Sequence, residues 1–173
     1  ESKRNGFDAD AHAANSAGAV FHASAQFSLV RCGLLLHGLR SWPQARDGLD
    51  LQPALSLYSR ITYVGSRPPG SSVGYNRRHV CQGESQLAVL PIGYAEGYDR
   101  RLSNKGEVLV RGVRVPIVGM ISMNCMVVDV TPLAHNAIGL PEVGETATLI
   151  GGPPHVRITA EELAHRGDDL RQA

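Results

Sequence analysis

The chain has 173 residues, 43% of them hydrophobic, and a formal charge of +1. That length bounds it to one domain with part of a second, and the balanced charge argues against a dedicated nucleic-acid binder. No apolar run approaches the ~18 residues of a membrane span, no apolar signal follows Glu1-Ser-Lys-Arg4, and cysteines at 32, 81 and 125 without Cys-x-x-Cys spacing read as reduced cytosolic thiols.

Residues 10 to about 40 have an α/β texture. A short strand runs to Ala14, a small-residue helix covers Ser16–Phe21, and a mostly apolar strand covers Phe27–Leu36. A continuous apolar strand fits a parallel sheet buried on both faces. Trp42-Pro-Gln-Ala-Arg-Asp-Gly48 is polar and broken by Pro and Gly, a linker. From Pro53 to Gly152 the texture is all-β. Leu55, Leu57, Ile61 and Tyr63 follow a period of two. Val108–Val115 predicts a hairpin with Arg111-Gly112 near its turn. Met126–Val130 and Thr146–Ile150 are further strands, and short strands with frequent Gly and Pro predict a small barrel or sandwich. The end is a helix with Thr159 as N-cap, Glu162 completing a capping box, and Ile158 and Leu163 as a hydrophobic staple. Two βα units cannot close a parallel sheet around a core, so the N-terminal part reads as the end of a larger α/β domain.

Several residues are candidates for chemistry, each with a bland alternative. Ser16 opens a short helix after a strand, so it is either an anion-binding hydroxyl or an ordinary cap. Arg31 lies in an apolar strand, where a charge must be paired, working or reaching solvent, and Gly33 beside it would admit a ligand to the backbone. Tyr75 in Ser72-Val-Gly-Tyr75 is a packing residue or a general base; ionising a free phenol at pH 7 costs roughly 4 kcal/mol. Leu90–Asn104 starts as a buried strand and ends in a Gly-rich loop carrying Tyr94, Tyr98, Arg100 and Arg101, the kind of loop that presents a polar site. The histidines show no metal-ligand spacing, so no metal is expected.

These pieces, in this order, resemble the alanine racemase family of pyridoxal-phosphate enzymes. The resemblance runs from about Ala11 to Arg166. Its anchors are His12-x-x-Asn-Ser16-Ala, Val30-Arg-x-Gly33, Leu55-Ser-Leu57, Ser72-Val-Gly-Tyr75, Leu90–Asn104, Gly119-x-x-Ser-Met123, Val128-Asp-Val130 and Val143-Gly. The family pairs an N-terminal (β/α)8 barrel, which holds the cofactor, with a C-terminal β domain. It is a homodimer whose sites borrow residues from the partner's β domain. The implied fold class is mainly β: a small C-terminal β-barrel-like domain over residues 53–152, preceded by a remnant of the barrel over 1–45 and followed by a helix and tail over 153–173.

The resemblance assigns roles residue by residue. Ser16, with backbone amides near Gly33 and Leu34, would hold the phosphate of pyridoxal 5'-phosphate. Arg31 would face the pyridine nitrogen, and His12 would orient Arg31. Tyr75 matches the base on one face of the substrate α-carbon, Met123 would bind the substrate carboxylate through its amide, and Tyr94 matches the entry corridor. The implied reaction interconverts L- and D-alanine for peptidoglycan in a bacterial cytoplasm, with no nucleic-acid or membrane partner.

Departures from the family pattern matter equally. The lysine that forms the Schiff base has no counterpart; Lys3 is in the wrong context, and Lys105 matches a position that is usually basic. The C-terminal tyrosine that helps hold the phosphate is also missing. The isolated chain is therefore expected to be a fragment that is inactive or nearly so. Met120 stands where the family usually has Arg, Asn124 where it has Asp, and His37 where it has a tyrosine. The first two leave open a racemase for another amino acid, such as serine. A non-catalytic β module for binding or dimerisation is the reading outside enzymology.

Overall fold

The computed structural model describes residues 10–42, 48–135 and 138–168. Lys3, most of the linker after Trp42 and the tail beyond Asp168 lie outside the described residues. The chain divides into two compact units, the break falling after Leu55.

In the first unit, β1 (His12–Asn15) and β2 (Leu29–Arg31) form a two-stranded parallel sheet, with His12 beside Leu29 and Asn15 beside Arg31. Between them lies α1 (Ser16–Phe21), a crossover of the kind parallel strands require. Asn15 caps that helix, its side chain accepting the Gly18 amide at 2.9 Å. The strand expected over Phe27–Leu36 is corrected: β2 spans three residues, and Leu34–His37 turns into a 3-10 helix closed by Gly38 at φ 71°. A second correction concerns burial. Leu29, Val30 and Leu34 are 51%, 41% and 48% exposed, so this strand is not buried on both faces; a sheet of two strands, with Ala14 of β1 buried, covers too little of it.

The second unit is built from strands β3 (Leu57–Arg60), β4 (Tyr63–Arg67), β5 (Ser72–Val73), β6 (His79–Val80), β7 (Ser85–Leu90), β8 (Glu107–Val110), β9 (Val113–Pro116), β10 (Met126–Asp129) and β11 (Thr146–Ile150), with short α2 (Thr131–Ala134) and terminal α3 (Ala160–Asp168). Three strands pair in the order β10-β7-β4 and four in the order β3-β11-β8-β9; every pairing is antiparallel. The period-two run through Leu55–Tyr63 is not one strand. It bends at Ile61-Thr62, where the Ile61 amide bonds Glu145 and the next amide bonds Val89, so the chain changes sheets within two residues. At the opposite corner Ile117 bridges Val128. The domain is thus β-rich, with two antiparallel sheets joined at corners.

Alternation explains the core. Met126 and Val128 of β10, and Ala147 and Leu149 of β11, point inward, while Val127 and Thr148 between them are partly exposed. They meet Leu90, Val108, Val110 and Val115 in one cluster. Each such fully buried aliphatic side chain contributes about 1.5–3 kcal/mol. The hairpin turn is the expected one: Arg111 and Gly112 both have positive φ, 52° and 77°, as a two-residue turn between twisted strands requires.

A satellite cluster of Val73, Cys81, Leu87 and Val118 seats the small β5–β6 hairpin on the main domain. This hairpin carries Tyr75. At the C-terminus, Thr159 Oγ1 accepts the Glu162 amide at 3.1 Å, half of the expected capping box. The Glu162 carboxylate turns instead to Arg114, at 2.6 and 3.0 Å, and ties α3 to β9. No described helix is long and apolar enough to cross a membrane.

Candidate active site

The sequence candidates fall into two groups, one in each unit. In the first unit, Ser16 begins α1 and its Oγ accepts the Gly33 amide at 3.2 Å. This bond draws the loop after β2 against the start of the helix. A side chain added at Gly33 would meet nothing within 4 Å, so the backbone there is open to an incoming group. Leu34 follows at the start of the 3-10 helix and is exposed. Arg31 ends β2, exposed, and its guanidinium Nη1 lies 2.6 Å from His12 Nδ1 and 3.4 Å from the His12 carbonyl. A guanidinium only donates, so Nδ1 is the acceptor and the proton of the neutral ring sits on Nε2. The parallel register places the two residues on neighbouring strands. Two bonded pairs result, His12 with Arg31 and Ser16 with Gly33, whose remaining donors are the Ser16 hydroxyl and the rest of the Arg31 guanidinium.

In the second unit a cleft of about 380 Å³ is lined by Tyr75, Tyr94, Arg100, Ile121, Ser122 and Met123. The β5–β6 hairpin brings Tyr75 there, with Gly74 at φ 70° packed on the Met120 amide and Gly119 at φ 80° packed on the Val73 carbonyl. A Cβ at Gly119 would come within 2.7 Å of that carbonyl, so the close approach requires glycine. Tyr75 is 66% exposed, with its ring free of the core. The next two residues, Asn76 and Arg77, have positive φ of 60° and 50°. Each non-glycine residue in that region costs about 1–2 kcal/mol.

Tyr94 opens a 3-10 turn (Tyr94–Glu96) that docks on the Met123 segment. Its amide bonds the Ser122 carbonyl at 3.1 Å, and the Ala95 amide bonds the Met123 carbonyl at 2.8 Å. Gly93 lies so close to the Ser122 and Met123 backbone that a side chain would not fit. The Met123 carbonyl is thereby used, whereas its amide meets no acceptor among the described residues.

The family resemblance gives Arg100 no role, although it stands in the polar loop of Leu90–Asn104. Its guanidinium carbon lies 5.7 Å from the Tyr94 ring centroid, a cation–π pair at the cleft wall. The other polar residues of that loop go elsewhere. Tyr98 is 3% exposed and its hydroxyl has no partner among the described residues; burial pushes its phenol upward. Arg101 pairs with Asp99 at 2.6 Å and Asp168 at 3.1 Å, and its hydrogen bond holds the Asp99 carboxyl below the usual range.

Comparison with known proteins bears on both groups. The family described as "Alanine racemase, C-terminal domain" matches residues 54–171. Alanine racemase of Halothermothrix orenii is 36% identical over 159 residues, covering 92% of this chain and 41% of that protein. Alanine racemase of Synechocystis is 41% identical over 153 residues, covering 88% and 40%. Among solved structures, alanine racemase of Bacillus anthracis with bound L-Ala-P superposes with a TM-score of 0.81 at 33% identity, covering 96% of this chain and 42% of that one. The Bartonella henselae enzyme with covalently bound pyridoxal phosphate gives 0.76 at 33% identity, covering 88% and 40%. The chain spans about two fifths of the length of the curated relatives it matches. The ordered anchors, the β-rich domain and these matches together show that the chain belongs to the alanine racemase family.

Proposed function

We propose that the protein containing this chain is a pyridoxal-phosphate-dependent alanine racemase, interconverting L- and D-alanine. The observation that carries the proposal is the cleft in which Tyr75 and Met123 meet. It is lined both by a phenol capable of proton transfer and by Met123, whose backbone amide meets no acceptor among the described residues.

The first-unit patch suits the cofactor. The Ser16 hydroxyl and the amides of Gly33 and Leu34 would hold its phosphate, and the open side of Gly33 leaves room for it. Arg31 would donate to the pyridine nitrogen, and His12 fixes the direction of that donation. A guanidinium there, a donor that does not give up its proton, would leave the ring nitrogen unprotonated and so moderate the electron sink that the cofactor supplies. When bound, pyridoxal phosphate acidifies the α-proton of the amino acid joined to it. Tyr75 Oη would carry that proton on one face of the α-carbon, Met123 N–H would hold the carboxylate, and Tyr94 with Arg100 would line the approach. By family resemblance the protein is a cytoplasmic homodimer serving peptidoglycan synthesis, with each site assembled from both subunits.

Racemisation needs a base on each face, and these residues supply one. The purified 173-residue chain with added cofactor is expected to leave L-alanine unchanged in a D-amino-acid assay, while the protein expressed from its complete reading frame racemises it. Inactivity of the latter on alanine would overturn the proposal. Met120 and Asn124 favour one variant reading, a different amino acid substrate. A panel including serine decides it by the ratio of kcat/KM values.

A further inference from the structure

We infer that Ser103 and Asn104 form a clip that positions the base-bearing loop against the carboxylate-binding segment, a role that rests on the reading of Tyr75 and Met123 above. Three separate stretches of backbone border the cleft, and these two adjacent side chains bond all three. The Asn104 carboxamide oxygen accepts the Gly119 amide at 2.6 Å, while its nitrogen donates to the Arg78 carbonyl at 3.3 Å. The Ser103 hydroxyl accepts the Ile121 amide at 3.0 Å and donates to the Arg100 carbonyl at 2.6 Å.

The need for such a clip is physical. Gly119–Ile121 lies between the Ile117–Val128 bridge and the Ser122–Cys125 turn, outside any strand ladder. Its amides at 119 and 121 must be satisfied by something other than a neighbouring strand, and the two side chains take them in turn. On the other side, the loop from Gly74 to Arg78 carries two consecutive left-handed residues just after Tyr75. A strained loop persists when its surroundings over-determine it. Asn104 holds its far end at Arg78, while Gly74 and Gly119 seat its near end. One carboxamide therefore couples where Tyr75 stands to where the Met123 segment runs.

Asn104 itself has φ 58°, which Asn tolerates better than most residues, so a merely local role must be separated from the clip. Asn104→Gly does this, since glycine keeps the backbone conformation and discards the carboxamide. In the 173-residue chain, Asn104→Gly leaves the buried Gly119 amide unpaired and should lower the unfolding temperature by a few degrees, and well below that temperature trypsin should cut after Arg77 and Arg78 about tenfold faster, read site by site by mass spectrometry. In the protein from the complete reading frame the same variant should lose about tenfold to a hundredfold in kcat, with a smaller change in KM. Asn104→Asp keeps the acceptor for Gly119 and loses the donor to Arg78, so it should match the glycine variant in trypsin sensitivity. Unchanged cutting and unchanged kcat in Asn104→Gly would overturn the clip. If the wild-type protein proves to be no racemase while the cutting rates change as stated, the functional reading falls and the clip stands as a property of the fold.

Discussion

The Arg31 guanidinium lies 2.6 Å from the imidazole nitrogen Nδ1 of His12, across a parallel strand pair. The contact makes one residue the ruler for the other, because a long arginine side chain at an exposed strand end otherwise samples many rotamers. His12→Ala should leave the charge in place but lose its aim. In the protein from the complete reading frame, kcat for alanine should fall about tenfold, with cofactor affinity, followed by absorbance, changing less. His12→Gln restores an acceptor and should recover part of the loss. An alanine variant with wild-type kcat would show that the pair does nothing for Arg31.

Tyr75 gives a sharper contrast. The residue is 66% exposed, so Tyr75→Phe removes only a hydroxyl and should leave the unfolding midpoint unchanged. As the proposed base it should nevertheless be indispensable, with kcat falling at least about a hundredfold. Tyr94→Phe, by comparison, keeps the ring under Arg100 and should cost little. Equal effects of the two substitutions would remove the special role assigned to Tyr75.

Legibility in the sequence followed the range of the forces involved. Thr146–Ile150 was readable to the residue, because inward Ala147 and Leu149 alternate with threonines. The hairpin around Arg111-Gly112 was readable because its turn needs positive φ twice. Phe27–Leu36 misled, since an apolar run does not reveal where a strand yields to a 3-10 turn. Along Leu55–Tyr63 the period of two held, but the alternation continues through a corner at Ile61 where the chain changes sheets, and the period does not show the corner. In the site, Tyr75, Tyr94 and Met123 carry distinctive motifs, and the fold brings them to one cleft. Asn104 lies 26 residues from Arg78 and 15 from Gly119, and side-chain bonds to distant backbone leave no local pattern to read.

Arg114 should be the most valuable charged residue for stability. Its guanidinium meets both oxygens of Glu162 at 2.6 and 3.0 Å, Glu107 at 3.2 Å, and the carbonyls of Val156 and Arg157 at 3.2 and 2.5 Å. Only an arginine fork can make this set, so Arg114→Lys should recover little of what Arg114→Met loses. The methionine variant is expected to lose about 1–3 kcal/mol in urea unfolding, since the Val156 and Arg157 carbonyls lose their donor and part-buried Glu107 and Glu162 are left with Arg166 as counterion, at 2.6 and 2.9 Å. A loss under about 0.5 kcal/mol would class the network with ordinary surface pairs.

The same network sets an acid limit. Hydrogen bonding from Arg114 is the main cause holding the Glu162 carboxyl below its usual range, against an opposing contribution from burial. A folded-state value below the unfolded one contributes stability that is complete above the ordinary glutamate pKa of about 4.3. That contribution is lost as pH falls through the lower folded value, because protonation then favours the unfolded chain. Glu162→Gln cannot titrate there and should be less stable than wild type at pH 7. The difference in melting temperature between the two proteins should hold steady down to the ordinary glutamate range and narrow progressively below it. A difference that stays constant well below that range would mean that Glu162 is not held ionised by Arg114, and that α3 is fastened to β9 by its packing alone.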